Sequence, residues 1–297
     1  VVQPNIGQQD KWRPGFDDIA AQRLARLSAP RHPDGGARLL LWPEAAVTEP
    51  LEDARTDEHQ AFAEFERTRA ASLLAPGEYL LTGGIALHSP DGRRVDGAAN
   101  SIFVLGPGGQ LVGRYDKAHL VPYGEYLPMR PLLSSIGLSR LAPGDVDFTS
   151  GPGPRTLNLP GWGKVGFQLC YEIIFSGQVV DPRNRPDFIF NPSNDAWFGR
   201  WGPPQHLAQA RLRAAEEGLP VLRSTPTGIS AIIDARGAIV VAAQPWRTAG
   251  VIDGVLPPQA LGRTPFSRAG NLIPLLLALL MIAAAIALPK SERYRRT

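Results

Sequence analysis

The stretch Gly166-Phe-Gln-Leu-Cys170-Tyr-Glu172 ends a β-prone apolar run at the only cysteine of this 297-residue chain, with a carboxylate two residues further on. A single thiol has no partner for an intrachain disulfide, so a chemical role is one of the few remaining reasons for a cysteine here. The alternative is that Cys170 is a small hydrophobic residue of the core, which is common for free cysteine. The stretch alone leaves both interpretations open.

Two other segments favour the chemical interpretation, because each places an ionisable residue just past an apolar or β-prone run. Leu39-Leu-Leu-Trp-Pro-Glu44 ends in a carboxylate. The segment from Arg114 to Glu125 contains Lys117 and ends in a second carboxylate. A thiol needs a base to take its proton and a positive group to stabilise the charge that develops on the attacked carbonyl. These segments supply both residue types.

Competing catalytic chemistries find little support. The chain has no G-x-S-x-G motif, and its histidines show no paired metal-ligand spacing and no placement suited to a base for the thiol; they are His32, His59, His88, His119 and His206. The sequence therefore predicts neither a metal site nor a serine hydrolase, and no cofactor.

Five motifs in chain order carry a family resemblance: Trp42-Pro-Glu44, Tyr115-Asp-Lys117, Pro122-Tyr-Gly-Glu125, Cys170-Tyr-Glu172 and Ser193-Asn-Asp-Ala-Trp-Phe-Gly199. Together they resemble the nitrilase (carbon-nitrogen hydrolase) superfamily and, within it, most closely the family of apolipoprotein N-acyltransferases, which N-acylate bacterial lipoproteins. The similarity runs the length of the chain. It implies an α-β-β-α sandwich with the active site at the strand ends.

The resemblance also implies a Glu-Lys-Cys catalytic triad. Glu44 is then the general base for Cys170, and Lys117 stabilises the tetrahedral oxyanion. Glu125 is implied as a second carboxylate that supports Lys117 and the acyl-transfer steps. These roles agree with elementary chemistry, since a nearby ammonium favours both a thiolate and an oxyanion.

Further residues match the family pattern with supporting roles. Glu172 is expected to orient a loop or the lysine, the region around Tyr171 to supply oxyanion contacts, and Asn100 to shape the site. Trp197 and Phe198 are expected to contact the acyl chain, although ordinary loop packing explains them as well.

The reaction implied is a two-step acyl transfer without a cofactor. Cys170 takes an acyl group from a phospholipid as a thioester, and the α-amine of the N-terminal diacylglyceryl-cysteine of a lipoprotein then accepts it. Two alternatives stay open: a membrane-tethered amidase or nitrilase with water as acceptor, and a catalytically silent module that binds lipid or lipoprotein. The sequence leaves the oligomeric state open and favours a monomer.

The sequence predicts a mixed α/β fold, with one catalytic domain over 1–268. Short β-branched runs predict strands over 39–42, 79–87, 101–105, 165–170, 188–191, 221–224, 229–233 and 239–242. Apolar residues at helical spacing predict helices over 17–27, 57–74 and 205–217. The Gly-rich segment Gly106-Pro-Gly-Gly109 is interpreted as a hairpin turn.

The C-terminal region predicts a membrane anchor. Residues 272–288 carry no charge, which favours a transmembrane helix over 269–289, with a buried core helix as the alternative. The net charge of +3 resides in the basic tail 290–297, so the rest offers no basic face for nucleic acid. A basic flank is typical of the cytoplasmic side, which places the domain on the outer, periplasmic face of a bacterial inner membrane.

The N-terminal residue is Val1, within an apparent strand, and the family normally has several membrane helices ahead of this domain. The sequence is therefore expected to be a truncated part of a longer protein, with any export signal lying upstream.

Overall fold

The structure, a computed structural model, describes residues 1–287 except 12, 14, 30–35, 138–145 and 242. The strands are β1 (Val2–Gln3), β2 (Leu39–Leu41), β3 (Pro50–Asp53), β4 (Tyr79–His88), β5 (Gly97–Leu105), β6 (Leu111–Asp116), β7 (Thr156–Leu159), β8 (Gly163–Phe167), β9 (Phe188–Pro192), β10 (Val221–Ser224), β11 (Ala231–Ile233) and β12 (Gly250–Val251). The helices are α1 (Phe16–Ser28), α2 (Asp57–Ala70), α3 (Arg130–Ser135), α4 (Gly202–Glu217), α5 (Pro265–Ala269) and α6 (Leu272–Ala287).

The strands form two five-stranded sheets and one short pair. The first sheet has the order β2-β4-β5-β6, with β3 also paired to β4, and the second has the order β11-β10-β9-β8-β7. Strand β8 runs parallel to β9, and β9 runs parallel to β10, whereas the outer strands β7 and β11 are antiparallel to their neighbours. The short pair is β1 with β12.

Side-chain alternation along the strands produces the layers. In the first sheet, Leu41 and Leu81 pack against Phe188 and Phe190 of the second sheet, while the intervening Leu40 and Leu80 pack under α1 and α2. On the outer face of the second sheet, Ile189 packs with residues of α4. The layer order is therefore helices, sheet, sheet, helix, which confirms the predicted α-β-β-α sandwich.

Most predicted elements are present with shifted ends. The strand 221–224 has the predicted bounds, and the segment Gly106–Gly109 forms the turn between β5 and β6. The strand predicted over 165–170 is wrong at its end, because β8 stops at Phe167 and Cys170 begins a 3-10 helix, Cys170–Ile174. The strand predicted over 239–242 is also wrong in its described part, where Ile239 makes only an isolated bridge to Ile233; residue 242 lies outside the described residues.

The apolar C-terminal run forms α6, which has 16 residues. Its large side chains are exposed, Leu275 and Ile286 among them, so the alternative of a buried core helix is wrong. Within the described part of the chain, no helix combines the length and the apolar character that a membrane crossing needs. The predicted span is thus not confirmed; its residues 288–289 and the tail 290–297 lie outside the described residues.

Pairing between β2 and β4 continues past the end of β2. The amide of Trp42 donates to Leu81 O at 2.9 Å, and the amide of Gly83 donates to Pro43 O at 3.1 Å. This pairing brings Gly83 so close that an added Cβ would lie 2.6 Å from Cα of Glu44. A glycine in β4 is therefore needed for the backbone of Glu44 to take its place at the sheet edge.

Replacement of Gly83 by alanine is expected to lower the free energy of unfolding by about 1–3 kcal/mol, because the new methyl group meets backbone that cannot move aside cheaply. The matched control is Gly36→Ala, where nothing lies within 4 Å of the added Cβ. Urea denaturation measures both. Equal stability of the two variants would contradict the close approach.

Candidate active site

The three predicted catalytic side chains follow the ends of strands in both sheets. Glu44 follows β2, Lys117 follows β6, and Cys170 lies shortly after β8. Their exposed fractions are 7%, 1% and 6%. The packing of one sheet on the other thus brings two charged groups from the first sheet to a thiol from the second.

The ammonium of Lys117 lies between two carboxylates. Its Nζ is 2.9 Å from the oxygens of Glu125 and 3.9 Å from Oε1 of Glu44. Burial alone lowers the pKa of Lys117, but the charges of Glu125 and then Glu44 outweigh it, so the pKa is raised. Lys117 is therefore a charged ammonium in the interior.

Asn100, in β5, bridges the same two carboxylates. Its Nδ2 donates to Oε1 of Glu44 at 2.9 Å and to Oε1 of Glu125 at 2.7 Å. The other oxygen of Glu125 accepts from the amide of Val121 at 2.8 Å. Oε2 of Glu44, by contrast, is buried and accepts no hydrogen bond from the described residues. Glu44 thus keeps one acceptor oxygen available for a proton.

Cys170 is held in a strained backbone conformation, with φ at 51° in the left-handed region. Such a conformation costs a non-glycine residue about 1–3 kcal/mol and persists only where the surroundings impose it. Burial and then the charge of Glu44 raise the pKa of the thiol, against the opposing charge of Lys117. Cys170 is thus a protonated thiol at rest, and it needs a base to become a nucleophile.

Glu172 joins the loop of the thiol to the loop of the lysine. Its Oε1 accepts from Tyr115 Oη at 2.7 Å and from the amide of Ala118 at 2.8 Å, while its Oε2 accepts from the amide of Leu169 at 2.7 Å. Burial raises the pKa of Glu172. Of the two roles expected for this residue, the contacts fit the orientation of the loops rather than a direct contact with Lys117.

The remaining predicted residues lie at the margin of this cluster. The ring of Tyr171 packs edge-on against Phe175, with centroids 5.1 Å apart. Trp197 and Phe198 follow β9 and are about half exposed. The structure shows these two rings at the surface and does not bring them into the buried cluster.

The sequence analysis did not predict a buried network of hydrogen bonds and ion pairs next to Cys170. Nδ1 of His206 is 2.8 Å from Oδ1 of Asp195, and Arg223 donates to both oxygens of that carboxylate at 2.7 and 2.8 Å. Nε2 of His206 is 3.1 Å from the backbone oxygen of Cys170. A histidine does therefore lie beside the nucleophile, but its contact is with the backbone. The residue that could have revealed this network is Arg223, because a charged side chain inside a buried strand requires a buried partner.

A second lysine was also missed. Lys11 is 6% exposed, and its Nζ donates to the backbone oxygen of Glu44 at 3.4 Å. Burial lowers the pKa of Lys11 to about 8, although the charge of Glu44 opposes that shift. Its place before β2, in a polar segment, gave no sequence signal for a buried ammonium.

The family model for the carbon-nitrogen hydrolases matches residues 2–266. The chain belongs to the carbon-nitrogen hydrolase family. Among curated relatives, it is 38% identical over 298 aligned residues to the apolipoprotein N-acyltransferase of Rhizobium meliloti, with 97% of this chain and 53% of the relative covered. The corresponding protein of Caulobacter vibrioides is 38% identical over 300 aligned residues, with 97% and 53% covered. The chain thus spans about half the length of these relatives.

Solved structures share the fold at low sequence identity. A branch 10 member of the nitrilase superfamily from Saccharomyces cerevisiae matches with a TM-score of 0.56 and 19% identity, over 99% of this chain and 95% of the other. A mutant of an amidase from Nesterenkonia sp. AN1, with the acetamide moiety of fluoroacetamide added covalently at its active-site cysteine, matches with a TM-score of 0.52 and 17% identity, over 84% of each chain. These likenesses show the nitrilase-like fold.

Replacement of Lys117 by methionine is expected to slow alkylation of Cys170 by iodoacetamide at pH 8 by about tenfold or more. Loss of the ammonium raises the pKa of the thiol further, so a smaller fraction is thiolate at any pH below it. The rate measured between pH 6 and 11 should shift to higher pH. The surface variant Lys164→Met is the control and leaves the curve in place; an unchanged curve for the Lys117 variant would contradict the assigned proximity.

Proposed function

We propose that the chain is the catalytic domain of an apolipoprotein N-acyltransferase, in which Glu44, Lys117 and Cys170 carry the chemistry. The observation that supports this most is Oε2 of the Glu44 carboxylate, which accepts no hydrogen bond from the described residues, in a cluster that also contains a protonated thiol and an ammonium. That arrangement suits general-base activation of the thiol. The names of relatives at 38% identity supply the substrate class.

In the first step, Sγ of Cys170 attacks the carbonyl carbon of a phospholipid acyl ester while Glu44 takes the thiol proton. The charge that develops on the carbonyl oxygen is stabilised by the ammonium of Lys117 and by the amide N–H of Tyr171. The C–O bond then breaks, and the departing alcohol of the lysophospholipid takes the proton from Glu44. The acyl group stays on Cys170 as a thioester, so the enzyme needs no cofactor.

In the second step, the α-amine of a diacylglyceryl-cysteine attacks the thioester carbonyl. Glu44 takes a proton from the attacking nitrogen, and the C–S bond breaks as the amide forms. The sulfur leaves as a thiolate next to Lys117 and recovers its proton from Glu44. Glu125 binds Lys117, Asn100 binds Glu44, and Asn100 also donates to Glu125. Through these contacts Glu125 and Asn100 hold Lys117 and Glu44 in place during both steps.

The surface around the site supports a lipid donor. Beyond the rings of Trp197 and Phe198, Trp201 is 70% exposed at the start of α4. Exposed aromatic and apolar residues of this kind favour the interface of a bilayer. These side chains are proposed to contact the acyl chain or the membrane surface while the buried cluster acts on the ester.

The apolar helix α6 is proposed as the start of the membrane anchor. Its 16 residues span about 24 Å at 1.5 Å per residue, which is less than the roughly 30 Å of a hydrocarbon core. The proposed anchor therefore needs the following residues 288–289 and a tilt or a locally thin bilayer. With the basic tail in the cytoplasm, the catalytic domain lies on the periplasmic face of an inner membrane.

The test is to incubate the full-length protein in vesicles with a phospholipid whose acyl chain is isotopically labelled, and to look for the label on Cys170 by mass spectrometry. We expect an acyl adduct that disappears when a lipopeptide with a free diacylglyceryl-cysteine amine is added. An N-acetylated copy of the same lipopeptide is the control acceptor, and Cys170→Ala is the control protein. Glu44→Gln is expected to slow adduct formation at least about a hundredfold, the usual size of a general-base effect.

Each other outcome contradicts the proposal in a specific way. Loss of the adduct in buffer alone, at the same rate with and without acceptor, identifies a hydrolase such as an amidase. Absence of any adduct identifies a catalytically silent lipid-binding or lipoprotein-binding module. Transfer that persists in Cys170→Ala removes the thiol from the mechanism.

A further inference from the structure

Three buried side chains that the proposed mechanism does not use form a network next to the left-handed backbone of Cys170. They come from three elements: Asp195 from the loop after β9, His206 from α4 and Arg223 from β10. The exposed fractions of these residues are 1%, 7% and 0%. A buried ionic network in contact with the nucleophile's own peptide is a candidate for a positioning device.

Arg223 anchors the loop of Asp195 independently of the histidine. Its guanidinium donates to both carboxylate oxygens of Asp195, and also to Asn191 Oδ1 at 2.6 Å and Ser193 Oγ at 2.8 Å. Burial alone raises the pKa of Asp195, but Arg223 and His206 outweigh it and hold the pKa at about 2. Burial and the charge of Glu44 raise the pKa of the Cys170 thiol, and the backbone of Asn194 in this loop opposes them with a smaller lowering effect. The loop that Arg223 holds therefore lies beside the sulfur.

His206 acts on a different part of Cys170. The ionised carboxylate of Asp195 and the backbone carbonyl oxygen of Cys170 both only accept hydrogen bonds, so both ring nitrogens of His206 carry a hydrogen in their contacts of 2.8 Å with Asp195 Oδ1 and 3.1 Å with Cys170 O. His206 is then an imidazolium that Asp195 stabilises, against burial and the charge of Arg223, which lower its pKa. The peptide that joins Cys170 to Tyr171 is planar and trans, so its C=O and its N–H point in opposite directions. A fixed carbonyl thus fixes the direction of the Tyr171 N–H.

That N–H has no acceptor within its own helix. Tyr171 is the second residue of the 3-10 helix Cys170–Ile174, and an amide in the first turn has no carbonyl of the same helix to bind. The amide points away from His206. Its direction decides whether it can donate to an oxygen bound next to Sγ.

We propose that His206 is a positioning residue, which holds the Tyr171 N–H in the direction of the acyl carbonyl oxygen by donating a hydrogen bond to the backbone oxygen of Cys170. It acts through the peptide and not as a base on the sulfur. The inference rests on the proposed thioester chemistry, but it applies to any acyl donor that passes through an oxyanion at this site, whichever acceptor follows.

Two reactions of the same thiol separate this role from a structural one. Acylation by p-nitrophenyl butyrate forms an S–C bond at a carbonyl carbon, passes through an oxyanion and releases p-nitrophenolate. Alkylation by iodoacetamide forms an S–C bond with loss of iodide, and no oxyanion develops. A displaced N–H slows only acylation, whereas a displaced or altered thiol slows both reactions.

The experiment measures both rates at one pH for the full-length protein and its His206→Ala and His206→Gln variants. We expect alanine to slow acylation about 10- to 100-fold, part of the effect of removing an oxyanion donor, and to change alkylation less than about twofold. Glutamine offers an amide N–H near the same place, so most of the acylation rate should return. His59→Gln, a change in the distant helix α2, is the control and should alter neither rate.

The result that would overturn the proposal is equal loss of acylation and alkylation in the alanine variant, or loss of neither. Failure of glutamine to restore acylation, with alkylation intact, would also count against a hydrogen-bond role. The ester assay does not depend on the natural substrates. If phospholipid and lipopeptide give no transfer while the ester result holds, the proposed function fails and the positioning role stands.

Discussion

The structure depends on the ammonium of Lys117, buried between Glu125 and Glu44. An isolated charge in the protein interior costs several kcal/mol, so the lysine and its carboxylates are stable there only together. The loss of any one leaves the others uncompensated. The same condition makes the cluster useful in catalysis, because a fixed positive charge out of water acts strongly on a negative charge that forms beside it.

The fold assembles this cluster from residues that lie just past the ends of three strands. Two sheets packed face to face place Glu44, a short turn past β2, and Lys117, directly after β6, opposite the turn after β8. Side chains then bind the loops to one another: Glu172 joins the thiol loop to the lysine loop, and Arg223 joins β10 to the loop after β9. These bonds explain why a strained conformation persists at Cys170.

Local patterns in the sequence and a family resemblance together predicted much of this. The patterns placed Glu44, Lys117 and Cys170 just after β-prone runs, whereas the sandwich architecture and the catalytic roles were implied only by the family resemblance of the motifs. The end of β8 was misplaced because an apolar run does not reveal where a backbone turns left-handed. Asp195, His206 and Arg223 were not recognised as a group, since they meet only when a loop, a helix and a strand pack together. The burial of Lys11 likewise depends on tertiary packing.

The strand predicted over 239–242 shows a different error, in which a segment of β-prone composition lies beside β11 but makes only isolated bridges to it. Ile239 bridges to Ile233 at the outer edge of the second sheet, the amide of Val240 donates to Ile232 O at 3.0 Å, and a second bridge joins Gln244 to Ser230, but these contacts do not join into a continuous ladder over the described residues. Strand propensity describes a fit to a pleated surface and does not guarantee a regular ladder with the neighbouring strand.

The most direct measurement is an experimental structure of the protein with an acyl group trapped on Cys170. The account predicts that the thioester carbonyl oxygen lies about 3 Å from both Nζ of Lys117 and the amide nitrogen of Tyr171, with Oε2 of Glu44 facing the sulfur. A carbonyl oxygen turned toward solvent or toward Asp195, with Lys117 out of reach, would contradict it.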